Sequence, residues 1–164
     1  MSRPDLNLAQ LLRHPYEALV ARLHEELARA GFPDIRPAHG CVFQYAEPEG
    51  SRLTDLARRA GLSKPTLVAA VHDLERLGYV ERLPDDRDRR AKVVRLTARG
   101  AAAAAEGARI IREIETQWAT RLGEQHAQPL RRALEELNVI LWPARTPSAA
   151  EANPASRTED ARRT

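Results

Sequence analysis

Cysteine occurs once in this sequence of 164 residues, at Cys41. A lone thiol excludes an intrachain disulfide framework and suits the reducing cytosol. Aromatic residues are almost as scarce, at 4%, although apolar residues as a whole reach 43%. A core is therefore possible, but it has to be packed from aliphatic and alanine side chains, which favours helices in close contact. Long apolar runs are missing too. Nothing approaches the roughly 18 consecutive apolar residues that cross a bilayer, and no charged start followed by an apolar stretch marks a signal peptide. A soluble, cytoplasmic protein is expected. His14, His24, His39, His72 and His126 show no His-x-x-x-His spacing and have no paired cysteine to join them, so no metal is expected. There is no glycine-rich phosphate loop, no nucleophile elbow and no His/Cys/Asp constellation, which leaves an enzyme reading without support and implies no cofactor.

What is present is concentrated between Leu53 and Leu96. Leu53, Leu56, Ala57 and Ala60 share one face of a short helix, which Gly61 ends because glycine reaches left-handed backbone angles without strain. Ser63 is a good N-cap and Lys64-Pro65 puts proline in a first turn, so a second helix starts there, with Leu67, Val71, Leu74 and Leu77 as its buried stripe. Lys64, Pro65, Thr66, Ala69, His72, Asp73 and Arg76 are left facing outwards. Two helices joined by a short glycine-containing turn make a helix-turn-helix, whose second helix can enter a major groove. Gly78 ends that helix. Val80–Leu83 and Lys92–Leu96 read as strands joined by the segment 84–90, and Ser51-Arg52-Leu53 as a third, short strand. From Arg76 to Arg99 there are eight basic and four acidic residues, a net +4 against +3 for the whole chain. Positive charge is thus collected where a DNA-binding wing would sit.

The runs S-K-P-T-L-V at 63–68, L-E-R-L-G-Y-V at 74–80 and D-R-R-A-K-V-V-R-L-T-A-R-G at 88–100 resemble the multiple antibiotic resistance regulator (MarR) family. The resemblance covers roughly residues 5–142 and is most specific in the wing. It implies a homodimeric winged helix-turn-helix transcription regulator, most simply a repressor, on a pseudo-palindromic operator in double-stranded DNA. Helix 63–78 would lie in a major groove and wing 84–91 in the adjacent minor groove. Ser63, Lys64, Pro65 and Thr66 would then reach the groove floor, with Ala69, His72 and Arg76 along the same face. Within the D-R-R pattern Asp88 would steady the wing and Arg90 would enter the minor groove, leaving Arg87 and Arg89 as phosphate contacts or plain surface. Ala69 stands where many relatives carry a long polar residue, so the operator sequence is not legible. In the family, small anionic aromatic ligands bind between the dimer helices and the reading heads. By position Arg13, His14, Tyr16, Arg36, His39 and Tyr45 are the candidates to line such a pocket. Oxidant-sensing relatives place their cysteine near the start of the first helix, whereas Cys41 lies in the second, which favours a buried, inert thiol.

The rest of the chain reads as helices around this centre. Apolar residues recur at helical spacing from Asp5 to Ala30, and Arg36-Pro37 opens a second helix to about Ala46, with Ala38, Val42 and Phe43 inward. Thr97 caps a long helix to Leu122, whose apolar face is Gly107, Ile111, Ile114, Trp118 and Leu122. A last helix carries Leu130, Leu134, Leu137 and Ile140; Pro129 either starts it or kinks one that began near Glu124. The expected organisation is a mostly α fold: an N-terminal dimerisation helix (1–35), the winged helix (36–96), C-terminal dimerisation helices (97–142) and a disordered tail (143–164). Two rival readings are a winged helix used as a protein–protein adaptor, which a positive wing disfavours, and an architectural protein binding DNA without sequence preference.

Overall fold

The computed structural model describes residues 5–85 and 88–141, without the side chains of 88–90. The elements run α1 (Leu8–Arg29), a 3-10 turn (Pro37–His39), α2 (Gly40–Tyr45), β1 (Ser51–Arg52), α3 (Leu53–Ala60), α4 (Lys64–Arg76), β2 (Val80–Asp85), β3 (Asp88–Leu96), α5 (Ala98–Leu122) and α6 (Glu124–Leu141). The described residues up to Arg121 form one compact unit and those from Leu122 a second. The expected tail and Trp142 lie outside the described residues.

In the first unit α1 begins at Leu8 rather than Asp5, because Asn7 caps it. The Asn7 side chain accepts the Gln10 N–H at 3.0 Å while the Gln10 side chain accepts the Asn7 N–H at 3.1 Å, a reciprocal cap that stops the helix growing backwards. Arg36-Pro37 opens a 3-10 turn before α2, not one continuous helix. Of the residues expected inward there, Val42 is buried and Phe43 partly so, but Ala38 is exposed. The tighter 3-10 pitch rotates the next position in and puts His39 in the interior instead.

Around this lies the winged helix. Gly61 closes α3 at φ 63°, and Leu62 N–H bonds back to the Ala57 carbonyl at 3.0 Å, so the chain turns sharply into α4. Helix α3 packs on α2 and α4. Leu56, Ala57, Leu67, Ala70, Val71 and Leu74 are buried and join Leu27, Val42, Tyr79, Val94, Ile110 and Ile114 in one core. The sheet order is β1-β3-β2, with Ser51 opposite Val94 and Val80 opposite Leu96. Its hairpin is longer than expected. Pairing continues past a register shift at Pro84/Asp85 to Asp85 opposite Asp88, so 84–90 is largely strand rather than loop.

Helix α5 is anchored to the head by its first turn. Thr97 N–H donates to the Tyr79 carbonyl (3.0 Å), its hydroxyl to the Gly78 carbonyl (2.7 Å), and the Gly100 N–H to Thr97 Oγ1 (3.1 Å). Further along, Gly100, Ala103, Ile110 and Ile114 face the core and Trp118 packs against it. Ile111 was the expected inward residue, but it is only partly covered. Gly100 and Ala103 set the angular position of the stripe, and counting from them in steps of three and four reaches Ile110. In the second unit Pro129 lies inside α6, which has already begun at Glu124, and α6 buries no residue.

Candidate nucleic-acid interface

Ser63 does cap α4: its Oγ accepts the Thr66 N–H at 3.3 Å and lies 2.7 Å from Thr66 Oγ1. The two hydroxyls therefore meet each other at the helix start, beside an exposed Lys64 and Pro65. Ala69, His72 and Arg76 are also exposed, and they continue the same face while Leu67, Ala70, Val71 and Leu74 hold the opposite one in the core. An α-helix buried along one stripe and open along the other offers a row of donors at fixed pitch, which is what a duplex groove can accept.

Asp73 departs from the expected pattern. Its carboxylate is turned back and accepts from the Arg36 guanidinium. His39 Nε2 stands 3.8 Å from the same oxygen. His39 is completely buried, and its Nδ1 accepts the backbone N–H of Arg36 at 3.1 Å. Since a backbone N–H can only donate, Nδ1 carries no proton and the neutral ring bears its proton on Nε2. The 3.4 Å approach of Arg36 Nη2 to Nε2 is then a contact between two donors and not a hydrogen bond. Burial first, and the neighbouring Arg36 charge second, hold the His39 pKa below the ordinary histidine range.

The wing is braced at its base. Asp85 is buried and accepts from Arg52 Nε (2.6 Å) and Nη2 (2.5 Å) through one oxygen. One strand of the sheet is thereby tied to the entrance of the hairpin tip. On β2, Arg82 Nε lies 3.2 Å from Glu75 Oε2 of α4, and Glu81 pairs with the opposite Arg95 at 2.9 Å. The Arg87 position and the side chains of Asp88, Arg89 and Arg90 lie outside the described residues.

A second cluster fixes the head on α5. Tyr79 is fully buried, with the Phe32 and Phe43 rings at 6.3 and 6.0 Å. Its hydroxyl donates to Asp34 at 2.5 Å and accepts from Arg99 at 3.0 Å, and the Arg99 guanidinium lies over its ring at 4.6 Å from the centroid. Burial and the Asp34 carboxylate push the Tyr79 pKa up, so the hydroxyl keeps its proton.

Of the residues expected to line a ligand pocket, the structure joins Arg36 and His39, and it places them against α4. Arg13, paired with Glu17 on its own helix (2.6 Å), and His14 and Tyr16 are exposed along α1. Tyr45 is half-buried at the end of α2, where its carbonyl receives Arg59. Cys41 is half-buried, donates to the Ala38 carbonyl (3.3 Å), and burial raises its pKa. Among the described residues no group of three or more His, Cys, Asp or Glu could hold a metal ion, and no helix is long and apolar enough to cross a membrane.

The fold is similar to MepR from S. aureus in a DNA complex, with a TM-score of 0.67 and 21% identity over 81% of this chain and 97% of that one. It is also similar to FabT of Streptococcus pneumoniae in complex with DNA (TM-score 0.70, 18% identity, 82% and 94% covered). A cysteine-to-serine mutant of MarR from E. coli gives 0.64 and 21%, with 82% and 98% covered. Identities this low establish the fold. The sequence itself goes further, for residues 43–91 match the MarR family. Over that segment the chain is similar to the MarR family. No curated protein sequence matches it. The segment carrying the MarR-family match runs from the end of α2 through α4 into the wing. Arg36 and His39, which hold Asp73, lie just before it, and Arg99 just after it.

Proposed function

We propose that the protein is a homodimeric, sequence-specific repressor, whose two heads each place α4 in a major groove and the wing in the adjacent minor groove of a pseudo-palindromic site. The observation that carries this reading is the division of α4. Its core face is buried among α2, α3 and the sheet, while Ser63, Lys64, Pro65, Thr66, Ala69, His72 and Arg76 form an open face next to a hairpin rich in arginine. Arg87, Arg89 and Arg90 supply the wing's charge, with Asp88 steadying its tip. FabT and MepR have been solved with DNA, which supports the same use of this fold here.

Dimerisation follows from apolar rows that each unit leaves uncovered. Helix α1 exposes Leu8, Leu11, Leu12 and Tyr16; α6, taken by itself, exposes Leu130, Leu134, Leu137, Ile140 and Leu141. Rows of this kind need a partner surface, and a second copy supplies it symmetrically. A small anionic aromatic effector binds near Arg13, His14, Tyr16, Arg36, His39 and Tyr45 and releases DNA.

Selection of bound duplexes from a random pool, followed by titration of the winner against an unrelated duplex, tests the reading. A pseudo-palindrome bound at least about a thousandfold more tightly than random DNA is expected. A ratio near unity would instead mark an architectural protein. Sedimentation should show a dimer at micromolar concentration, and a stable folded monomer would refute that part. Adding candidate aromatic acids to the complex tests release.

A further inference from the structure

A carboxylate on a groove-reading helix works against binding, because it faces phosphate. Asp73 is such a residue: it sits next to exposed His72 and three residues before Arg76 on α4. The structure does not leave it open. Arg36 takes its Oδ2, the Nε2 proton of His39 points to the same oxygen from 3.8 Å, and Arg76 Nη2 is 3.9 Å from Oδ1. What holds Arg36 in place is the buried His39. Arg36 N–H donates to His39 Nδ1 at 3.1 Å, and the Arg36 carbonyl accepts the His39 N–H at 2.9 Å. The cation is thus delivered to α4 from a separate element whose backbone is clamped on both sides of the peptide.

We propose that Arg36 is a positioning residue for DNA reading: anchored on His39, it holds Asp73 back against the 3-10 turn and cancels its charge, so that the open face of α4 (Lys64, Thr66, Ala69, His72 and Arg76) offers the groove only neutral and cationic groups, while Glu75 at its edge is paired with Arg82. The proposal rests on the docking of α4 described above. It gives Arg36 a duty that does not require it to touch DNA or an effector. It also explains why a helix with a chemically plain reading face carries an acid in its middle, since the acid is the latch that the preceding element grips.

The test is fluorescence anisotropy of the full chain on the selected operator, at two salt concentrations, with Arg36→Gln, Arg36→Lys, Asp73→Asn and the double variant Arg36→Gln/Asp73→Asn. Arg36→Gln frees one carboxylate per head, and at about threefold per head its dimer should bind about tenfold more weakly, with a larger loss at low salt where repulsion is unscreened. The double variant has no carboxylate to free and should return to within about twofold of wild type. Arg36→Lys keeps the charge and should recover most of the affinity, and Asp73→Asn should bind more tightly than wild type at low salt. A role in folding alone predicts the opposite for the double variant, which has lost the pair altogether and would stay weak. Arg36→Gln as tight as wild type, or a double variant no tighter than Arg36→Gln, overturns the proposal. If Arg36→Gln does not fold, the Asp73→Asn arm decides, and weaker binding by it at low salt overturns the proposal. Lys64→Ala separates the two levels: if it and Arg36→Gln both bind like wild type, the docking of α4 is wrong, whereas weak Lys64→Ala with normal Arg36→Gln rejects only the role of Arg36.

Discussion

Replacing Gly100 by alanine sets two effects of opposite sign against each other. Alanine is the better helix former, by about 1 kcal/mol in a helix interior. A Cβ at Gly100, however, would lie 2.0 Å from the Tyr79 carbonyl oxygen and 3.0 Å from its carbon. Ordinary carbon contacts need about 3.5 Å, so the start of α5 would have to retract by more than an ångström. That retraction breaks the bonds that anchor it: Thr97 N–H to Tyr79, the Thr97 hydroxyl to Gly78, and Gly100 N–H to Thr97. Three bonds at about 1 kcal/mol each outweigh the propensity gain, for a net loss of about 2 kcal/mol. Gly107 is the internal control. It lies in the same helix, and its added Cβ would meet only Leu23 Cδ1 at 3.9 Å, an ordinary contact. Gly107→Ala should therefore be neutral or stabilising by up to about 1 kcal/mol. Urea unfolding followed by circular dichroism, at matched protein concentration, reads both midpoints. A Gly100→Ala protein as stable as wild type would refute the reasoning, because propensity would then have won and the close approach would carry no weight.

Three further outcomes are expected. His39 is held below the ordinary histidine pKa by burial and Arg36, against the smaller opposing pull of Asp73 and Asp34; the unfolded chain therefore takes up its proton first. Stability should be full above about pH 6.5 and should fall as pH drops from there towards the folded value, and urea midpoints with the same slope in wild type and His39→Gln would contradict this. Arg52→Gln leaves the Asp85 carboxylate buried with its Arg52 bonds gone, and since Arg52 is itself partly exposed the cost should be about 2 kcal/mol, with Arg52→Gln/Asp85→Asn recovering part of it in a double-mutant cycle. Burial raises the Cys41 pKa, so alkylation at neutral pH should run slower than for a free thiol. DNA binding should survive peroxide equally in wild type and Cys41→Ser, and a peroxide-induced loss abolished by Cys41→Ser would make Cys41 a redox sensor.

The reading head was legible because its signals are local. Gly61 at a left-handed cap, Ser63 as an N-cap and Pro65 in the first turn each act within a few residues of themselves, and each is found in that role. Thr97 is likewise the residue that receives the Gly100 N–H at the start of α5. The errors are also local in cause. Periodicity fixed the face of α5 from Ile114 and Trp118 but chose Ile111 over Ile110, because the close approach at Gly100, which sets the helix rotation, depends on a carbonyl from another element. Ala38 was chosen over His39 for a similar reason. An apolar residue looked the better core candidate, and nothing in the sequence says that a backbone N–H stands ready to donate to a buried histidine.

The parts of the site that escaped the sequence are the ones made by charges far apart in the chain. Arg36 with Asp73, Arg52 with Asp85, and Asp34 with Tyr79 and Arg99 each join different elements. A count of charge sees in them only a net value near zero. That is why the concentration of positive charge between Arg76 and Arg99 could be read as a DNA-facing surface while its acids could not be assigned. Asp85 passed as a loop residue of the wing, although its place directly after Pro84, at the end of a strand, was a weak hint of an inward anchor. Asp73 passed as one more outward-facing residue of the second helix. In both cases the folded chain answers a negative charge with an arginine from a preceding element, Arg36 or Arg52, and so spends two of its basic residues on its own acids. The arginines left for DNA are fewer than the sequence total suggests. On the docking proposed for α4, specific affinity depends on which acids stay covered as much as on how many bases are present.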